Sequence, residues 1–160
     1  MNKTQKKLLE YCYYLLSRRR YTTTEILRKL KRKNTGYLEP ADAGQIQEII
    51  DYLIEKKYLN DQEYISFYID GPAQRKHYGS RRIKNELNRK GLKTDLIKAQ
   101  LIEKNYQEKI LAENFLTKKY ETNTLKNLDQ KSRAKIFRQL NSRGFSSATV
   151  YGILKNISSK

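Results

Sequence analysis

The chain of 160 residues has one cysteine, Cys12, and one histidine, His77. An internal disulfide is therefore impossible, and a zinc site would lack the Cys and His ligands that it normally uses. No apolar run approaches the roughly 18 residues that span a bilayer. The basic, leucine-rich start has no small-residue cleavage site after it. These absences predict a cytoplasmic protein without a bound metal or a membrane partner.

Signals of catalysis are scarce as well. No GxxxxGK phosphate loop occurs, so we expect no ATP site. A metal-dependent nuclease needs clustered carboxylates, whereas those of the central chain stand singly on different predicted helices: Asp61, Glu63, Asp70, Asp95 and Glu103. Ser146 and Ser147 are typical of a helix start and not of a nucleophile. We expect no catalytic residues, no cofactor and no small-molecule substrate.

Only two prolines and seven glycines interrupt the chain, which leaves long uninterrupted segments. Apolar residues in these segments recur at helical spacing, and no segment shows the alternation of a strand. The sequence therefore predicts an all-α protein of about nine helices with no sheet. Gly71-Pro72 is expected to break the central pair of helices, and the polar stretch 121–124 is expected to lie between two later helices.

A repeat appears when the short basic helices are aligned. Ile83, Leu87 and Gly91 in the centre of the chain correspond to Ile136, Leu140 and Gly144 near its end. The first copy has Ile26, Leu30 and Asn34, where asparagine would supply the left-handed backbone otherwise given by glycine. We predict three tandem three-helix repeats, at 1–57, 58–104 and 105–160. Stacking of such small units would give an elongated, curved array.

Positive charge is what the chain has in excess. Its 34 Lys and Arg against 17 Asp and Glu give a formal net charge of +17. Each predicted repeat shares this excess, so the charge is spread along the chain and not held in one tail. Such a balance predicts a polyanionic partner: nucleic acid, nucleoprotein, an acidic protein groove or an anionic membrane surface.

The centre of the chain resembles the RecX family. The residues that carry this resemblance are Tyr58-Leu59-Asn60-Asp61, Tyr64, Phe67, Tyr78-Gly79, Ile83, Glu86-Leu87 and Lys90-Gly91. The weaker copies on either side match the three-fold helical repeat of that family. The chain departs from the family pattern at Gly79-Ser80, where Gly-Pro is usual, and at Asp70-Gly71-Pro72-Ala73, where a basic residue often precedes the turn.

This resemblance implies a non-enzymatic regulator of the bacterial recombinase RecA, acting in DNA repair, recombination and the SOS response. Members of the family bind along the helical groove of the RecA filament on single-stranded DNA. They inhibit its ATPase, strand-exchange and coprotease activities. The resemblance therefore makes the RecA nucleoprotein filament the expected partner of this chain, which we expect to be a monomer and which could also contact DNA directly.

We assign the partner-binding surface to cations of the short basic helices and the central connector. These would pair with acidic RecA side chains or DNA phosphates, Arg through its forked guanidinium and Lys as a point charge. The alternative is a solvated face on which Arg82 and Glu86 pair with each other. The assigned residues are Arg75, Lys76, Arg81, Arg82, Lys84, Arg89 and Lys90 in the central repeat, Arg28, Lys29 and Arg32 in the first, and Lys135, Arg138 and Arg143 in the third.

Aromatic residues and His77 have competing interpretations. Tyr64, Phe67, Tyr68 and Tyr78 could stack on exposed bases, although packing between helices is the interpretation that we favour. His77 has no neighbouring carboxylate pair or cysteine, which indicates a connector residue that becomes cationic on contact with an acidic partner. A second functional hypothesis is a stand-alone nucleic-acid-binding protein whose basic helices contact phosphates.

Overall fold

The computed structural model describes residues 1–158, and every regular element in that range is helical. The predicted all-α class is confirmed. None of the described helices is both long enough and apolar enough to cross a membrane. The ten α-helices are α1 Lys3–Arg18, α2 Thr23–Asn34, α3 Ala43–Glu55, α4 Asp61–Tyr68, α5 Ser80–Arg89, α6 Thr94–Glu103, α7 Glu108–Lys119, α8 Thr122–Lys126, α9 Gln130–Ser142 and α10 Ser147–Ser158.

Two local features differ from the expectation. The polar stretch 121–124, expected to lie between two helices, contributes to an additional short helix, α8. The helical conformation also does not end at Gly71-Pro72. A π-helical segment, Ile69–Ala73, continues from α4 through this dipeptide. The wider turn of a π-helix changes the hydrogen-bonding register around Pro72, which has no N–H to donate.

The chain forms two compact units. The first contains residues 1–65 together with Asn88–Lys93, and the second contains Ser66–Leu87 together with the chain from Thr94 onward. The three tandem repeats stay a prediction about the periodicity of the sequence. Residues 159 and 160, which end the third predicted repeat, lie outside the described part of the chain.

In the first unit, α1, α2 and α3 pack around a common apolar core. All three helices begin with a capping box, at Asn2, Thr22 and Asp42, in which side chains accept from the N–H of the cap residue and from that of the third helical residue. Cys12 lies in this core, and burial raises the pKa of its thiol to about 12. The thiol is therefore protonated at neutral pH, as expected of a packing residue.

Helix α2 ends in a different way from the one predicted. Asn34 is its last residue and does not adopt left-handed backbone. Instead its buried side chain donates to the carbonyl of Ala41 at 2.7 Å and accepts from the Ala41 N–H at 2.8 Å. The amide thus ties the end of α2 to the segment before α3 through its side chain.

In the second unit, the core is built from α7, α9 and α10, with Phe145 fully buried among them. The six residues of the predicted repeat, Ile26, Leu30, Ile83, Leu87, Ile136 and Leu140, are all 0% exposed. Gly91 and Gly144 have the left-handed backbone that the alignment predicts, with φ of 85° and 79°. The short basic helices therefore bury the same face in each copy.

Candidate basic interface

Helix α5 carries four of the cations assigned to the partner surface. Its buried face, Ile83 and Leu87, leaves the opposite side for charged residues. Arg81 and Arg89 are exposed, whereas Arg82, Lys84 and Lys90 are half-buried. The residues before α5, Arg75 and Lys76, are exposed as well.

The first turn of α5 lies against the end of α9 in the second unit. The N–H of Gly79 donates to the carbonyl of Arg143 at 2.9 Å, and that of Arg81 donates to the carbonyl of Gly144 at 3.1 Å. The Arg81 guanidinium also donates to Asn141, to its carbonyl at 2.8 Å and its side-chain oxygen at 2.7 Å. Arg81 is therefore engaged in an internal contact as well as exposed.

Two further cations lie over aromatic rings next to this contact. The Arg82 guanidinium is 4.3 Å from the ring centre of Tyr78 and pairs with Glu86 at 3.6 Å. The Arg143 guanidinium is 4.2 Å from the ring centre of Phe115 and donates to the Lys76 carbonyl. A ring positions a cation without neutralising it, whereas the Glu86 carboxylate offsets part of the charge of Arg82.

These residues surround a cleft of about 450 Å³ in the second unit, open to solvent. Its lining is Arg75, Lys76, His77, Tyr78, Arg82, Ser142 and Arg143. Four of these are cations, and none of the described lining residues is acidic. The cleft is thus a preformed electropositive site to which residues distant in sequence contribute.

His77 lies in this cleft with positive φ, 50°, at the end of the helical turn that follows Pro72. Its ring centre is 6.3 Å from that of Phe115. Burial, together with the positive charges of Lys118 and Arg143, lowers the pKa of His77 below its ordinary value. The imidazole is therefore neutral at pH 7 in the unliganded protein.

Lys90, at the other end of α5, belongs to the first unit. Its ammonium lies 3.0 Å from the Glu25 carboxylate and 5.7 Å from the ring centre of Tyr64. Burial alone would lower the pKa of Lys90, but the contacts with Glu25 and Tyr64 outweigh it and raise the pKa. The Thr22 hydroxyl donates to the Lys90 carbonyl at 2.8 Å. Lys90 therefore holds the segment Asn88–Lys93 of the first unit against the start of α2.

The flanking candidate residues differ in exposure. Arg28 and Arg32 on α2 and Lys135 and Arg138 on α9 are exposed. Lys29 is half-buried, with its ammonium 5.5 Å from the ring centre of Tyr21. Of all the assigned cations, Arg75, Lys76, Arg82 and Arg143 are the ones brought together in the cleft.

Among the aromatic candidates, Tyr64 is 9% exposed, as packing predicts, while Phe67 is 49% exposed. Sequence reasoning missed Phe115, which supports Arg143, and Lys118, which faces His77. It also missed Glu108, whose role as a helix cap is described below. No local pattern marks these three residues, because each acts on a segment far away in sequence.

Known proteins include close relatives of this chain. A protein of Serratia proteamaculans named regulatory protein RecX is 30% identical over 169 residues, covering 93% of this chain and 96% of that protein. The chain belongs to the RecX family. A regulatory protein RecX of Haemophilus influenzae strain PittEE is 33% identical over 138 residues, covering 86% of each chain.

Residues 60–101 match the second three-helix domain of RecX, a range that runs from the start of α4 nearly to the end of α6. The fold is also that of RecX crystal structures. The RecX structure from Lactobacillus salivarius has a TM-score of 0.82 at 23% identity, with both chains covered completely. A second RecX crystal structure has a TM-score of 0.74 at 22% identity, covering 96% of this chain and 72% of the other.

Within this RecX chain, the matched domain contains the cleft residues of the connector and α5, including Arg75, His77 and Arg82. Ser142 and Arg143 lie beyond the matched range. The same domain contains Gly79-Ser80, the departure from the usual Gly-Pro. Ser80 donates to Glu108 through both its N–H, at 2.8 Å, and its hydroxyl, at 3.0 Å. A proline at this position would offer neither donor.

Proposed function

We propose that this protein regulates RecA by binding the RecA filament on single-stranded DNA and inhibiting its ATPase, recombinase and coprotease activities. Membership of a family of regulatory proteins supports a regulatory role, and the RecX resemblance supplies RecA as the partner. The observation that carries the proposal is the electropositive cleft beside α5, in which four cations converge without an acidic lining residue. A filament made of protein and DNA offers both carboxylates and phosphates to such a surface.

A binding measurement with charge-reversed variants tests this proposal. Arg81 is unsuitable as the first target, because its loss would also remove the contact with Asn141. Lys84 on α5 is the better target, since reversing its charge leaves the contact of Arg81 with Asn141 in place. Lys6→Glu on α1 is the matched control, because Lys6 is an exposed lysine of the first unit outside the assigned surface.

The labelled protein would be titrated with RecA filaments preassembled on single-stranded DNA, and binding would be followed by fluorescence anisotropy. If α5 faces the filament, Lys84→Glu weakens binding about tenfold, or about 1.4 kcal/mol. Lys6→Glu should then bind like the unmodified protein. Equal affinities for both variants, with unchanged thermal melting, would remove α5 from the interface.

Direct nucleic-acid binding is the second candidate function. The net charge of +17 favours it, because cations that neutralise phosphates release counterions and gain affinity at low salt. The logarithm of the binding constant for bare DNA should then fall linearly with the logarithm of the salt concentration. A slope equal to that seen with RecA filaments would indicate that the protein recognises the DNA and not RecA.

A further inference from the structure

The cleft in the second unit is better suited to an anion than a cation-rich cleft of the first unit. That first-unit cleft is lined by Arg18, Arg19, Arg20 and Lys57, but also by Glu63. Glu63 pairs with Arg20 at 3.0 Å, so part of the positive charge is already neutralised. In the second unit, none of the described residues that line the cleft is acidic, and Glu86, which pairs with Arg82 at the longer distance of 3.6 Å, lies outside the lining.

The cations of the second-unit cleft are also held in place. Arg82 and Arg143 lie over the rings of Tyr78 and Phe115, and Lys76 lies 5.7 Å from the ring centre of Tyr78. The Arg82 Nε is buried and makes no hydrogen bond among the described residues; its contact with Glu86, at 3.6 Å, is too long for one. An anion would meet positioned donors and lose little affinity to their ordering.

His77 faces positive charge from several elements of the second unit. Its own connector brings Arg75 and Lys76 into the lining. Helix α7 contributes Lys118 and the ring of Phe115, and the end of α9 is followed by Arg143. Helix α5 adds Arg82, whose partner Glu86 lies on the same helix. The imidazole thus faces cations, and a bound anion would offset part of the positive field that it experiences.

We propose that this cleft binds a phosphodiester phosphate of a single DNA strand, and that binding is coupled to protonation of His77. Four cations around about 450 Å³ provide more charge and space than one carboxylate requires. Two of them are arginines whose forked donors match phosphate oxygens. The inference deepens the proposed function and rests on it, by assigning DNA phosphates to one part of the basic surface.

The coupling has a definite direction. His77 is neutral at pH 7 in the free protein, and a phosphate next to the ring favours the imidazolium, which can donate to a phosphate oxygen. At a pH between the pKa of His77 in the free protein and its pKa in the complex, binding therefore takes up a proton. The affinity for DNA rises as the pH falls through this interval, with a limiting slope of about tenfold per pH unit for one linked proton.

The single histidine makes the test direct. In this chain of 160 residues, the imidazole proton signals of His77 are the only histidine signals, and NMR follows them from pH 5 to pH 8. A short oligothymidylate should shift the midpoint of this titration upward, whereas inorganic phosphate at equal phosphate concentration should shift it much less. No shift with the oligonucleotide would overturn the proposal, and an equal shift with both would replace the DNA strand by free phosphate as the ligand.

Variants separate the two parts of the inference. His77→Gly removes the imidazole and suits the backbone, because glycine adopts φ of 50° without strain. In this variant, the affinity for the oligonucleotide should no longer rise as the pH falls. In Lys6→Gln, which keeps the imidazole, it should still rise. Arg75→Gln should lower the affinity and reduce the magnitude of the salt slope by about one, as expected for one lost phosphate contact.

A His77→Gly variant with the same pH dependence as Lys6→Gln would exclude the proton coupling. An Arg75→Gln variant with unchanged affinity and salt slope would exclude the phosphate site. If the His77 signal shifts only when RecA is added, the cleft recognises the protein and not the strand. The oligonucleotide experiment contains no RecA, so its failure is distinguishable from a failure to inhibit RecA.

Discussion

Gly79 and Gly144 lie where two stretches of backbone approach each other too closely for a side chain. A Cβ atom at Gly79 would be 2.2 Å from the N of Phe145, and one at Gly144 would be 2.4 Å from the N of Arg82. Because the obstructing atoms belong to the backbone, no rotamer change can make room. These glycines therefore determine how closely the start of α5 approaches the end of α9.

This close approach predicts opposite effects for two glycine substitutions. Gly79→Ala should destabilise the fold by about 1–3 kcal/mol, since the added methyl group forces the backbones apart. Gly152→Ala, in the exposed interior of α10, should be neutral or stabilising by up to about 1 kcal/mol, because nothing lies within 4 Å of its Cβ position. Urea denaturation measures both changes in the free energy of unfolding. Equal changes at the two sites would contradict the close approach of the two backbones at Gly79.

At the scale of the helix, Glu108 connects the starts of α5 and α10. Its carboxylate accepts from Ser80 of α5, from the Ser146 hydroxyl at 2.6 Å and from the Thr149 hydroxyl at 2.7 Å. One carboxylate thus satisfies donors in the first turns of two helices, where a negative charge is also favourable. This contact fixes α5, and with it Arg82, relative to α7 and α10.

Glu108 should make stability depend on pH. Burial alone would raise its pKa, but the hydrogen bonds from Ser146, Thr149 and the backbone outweigh it and lower the pKa below 4.5. The folded state therefore binds this proton less tightly than the unfolded state does. The stabilisation is fully present above the unfolded pKa, and it is lost as the pH falls through the folded pKa.

Replacing the Glu108 carboxylate tests this pH dependence of stability. Glu108→Gln should cost about 1–3 kcal/mol near pH 7, because the amide nitrogen cannot accept these hydrogen bonds. The difference from the unmodified protein should shrink in acid, where Glu108 is itself protonated. Glu113→Gln, an exposed position of the same helix, is the matched control. A Glu108→Gln deficit that stays constant from pH 7 to pH 3 would rule out this role.

The sequence predicts helices better than it predicts the contacts between them. Ile83 and Leu87 are fully buried because four-residue spacing places them on one helix face, and this spacing is visible locally. The left-handed backbone of Gly91 and Gly144 follows equally from a local pattern. Asn34 was wrongly assigned this role, because a side-chain amide can end a helix by hydrogen bonding to the following segment.

The candidate site was only partly predictable, for the same reason. The sequence supplies the cations and the connector, but not which of them meet. Arg81 reaches Asn141, and Arg82 reaches the Ser142 carbonyl, each across 60 residues of chain. Tertiary packing alone determines these contacts, and it turns Arg81 from a presumed free binding residue into one that also stabilises the fold.

At the scale of the whole molecule, the charge and the family membership support the same function. A net charge of +17 favours any polyanion, so charge alone does not distinguish a RecA filament from bare DNA. Stoichiometry does distinguish them. A filament regulator acts at few sites along a filament, whereas a protein that merely coats DNA must be present in proportion to the DNA.

The most direct measurement is the ATPase activity of RecA on single-stranded DNA, titrated with this protein far below one copy per RecA. The salt concentration should be high enough to suppress binding of the protein to bare DNA, which high salt weakens steeply. We predict strong inhibition at these substoichiometric amounts. Inhibition that begins only when enough protein is present to coat the DNA would contradict regulation of the filament and would leave plain nucleic-acid binding as the function.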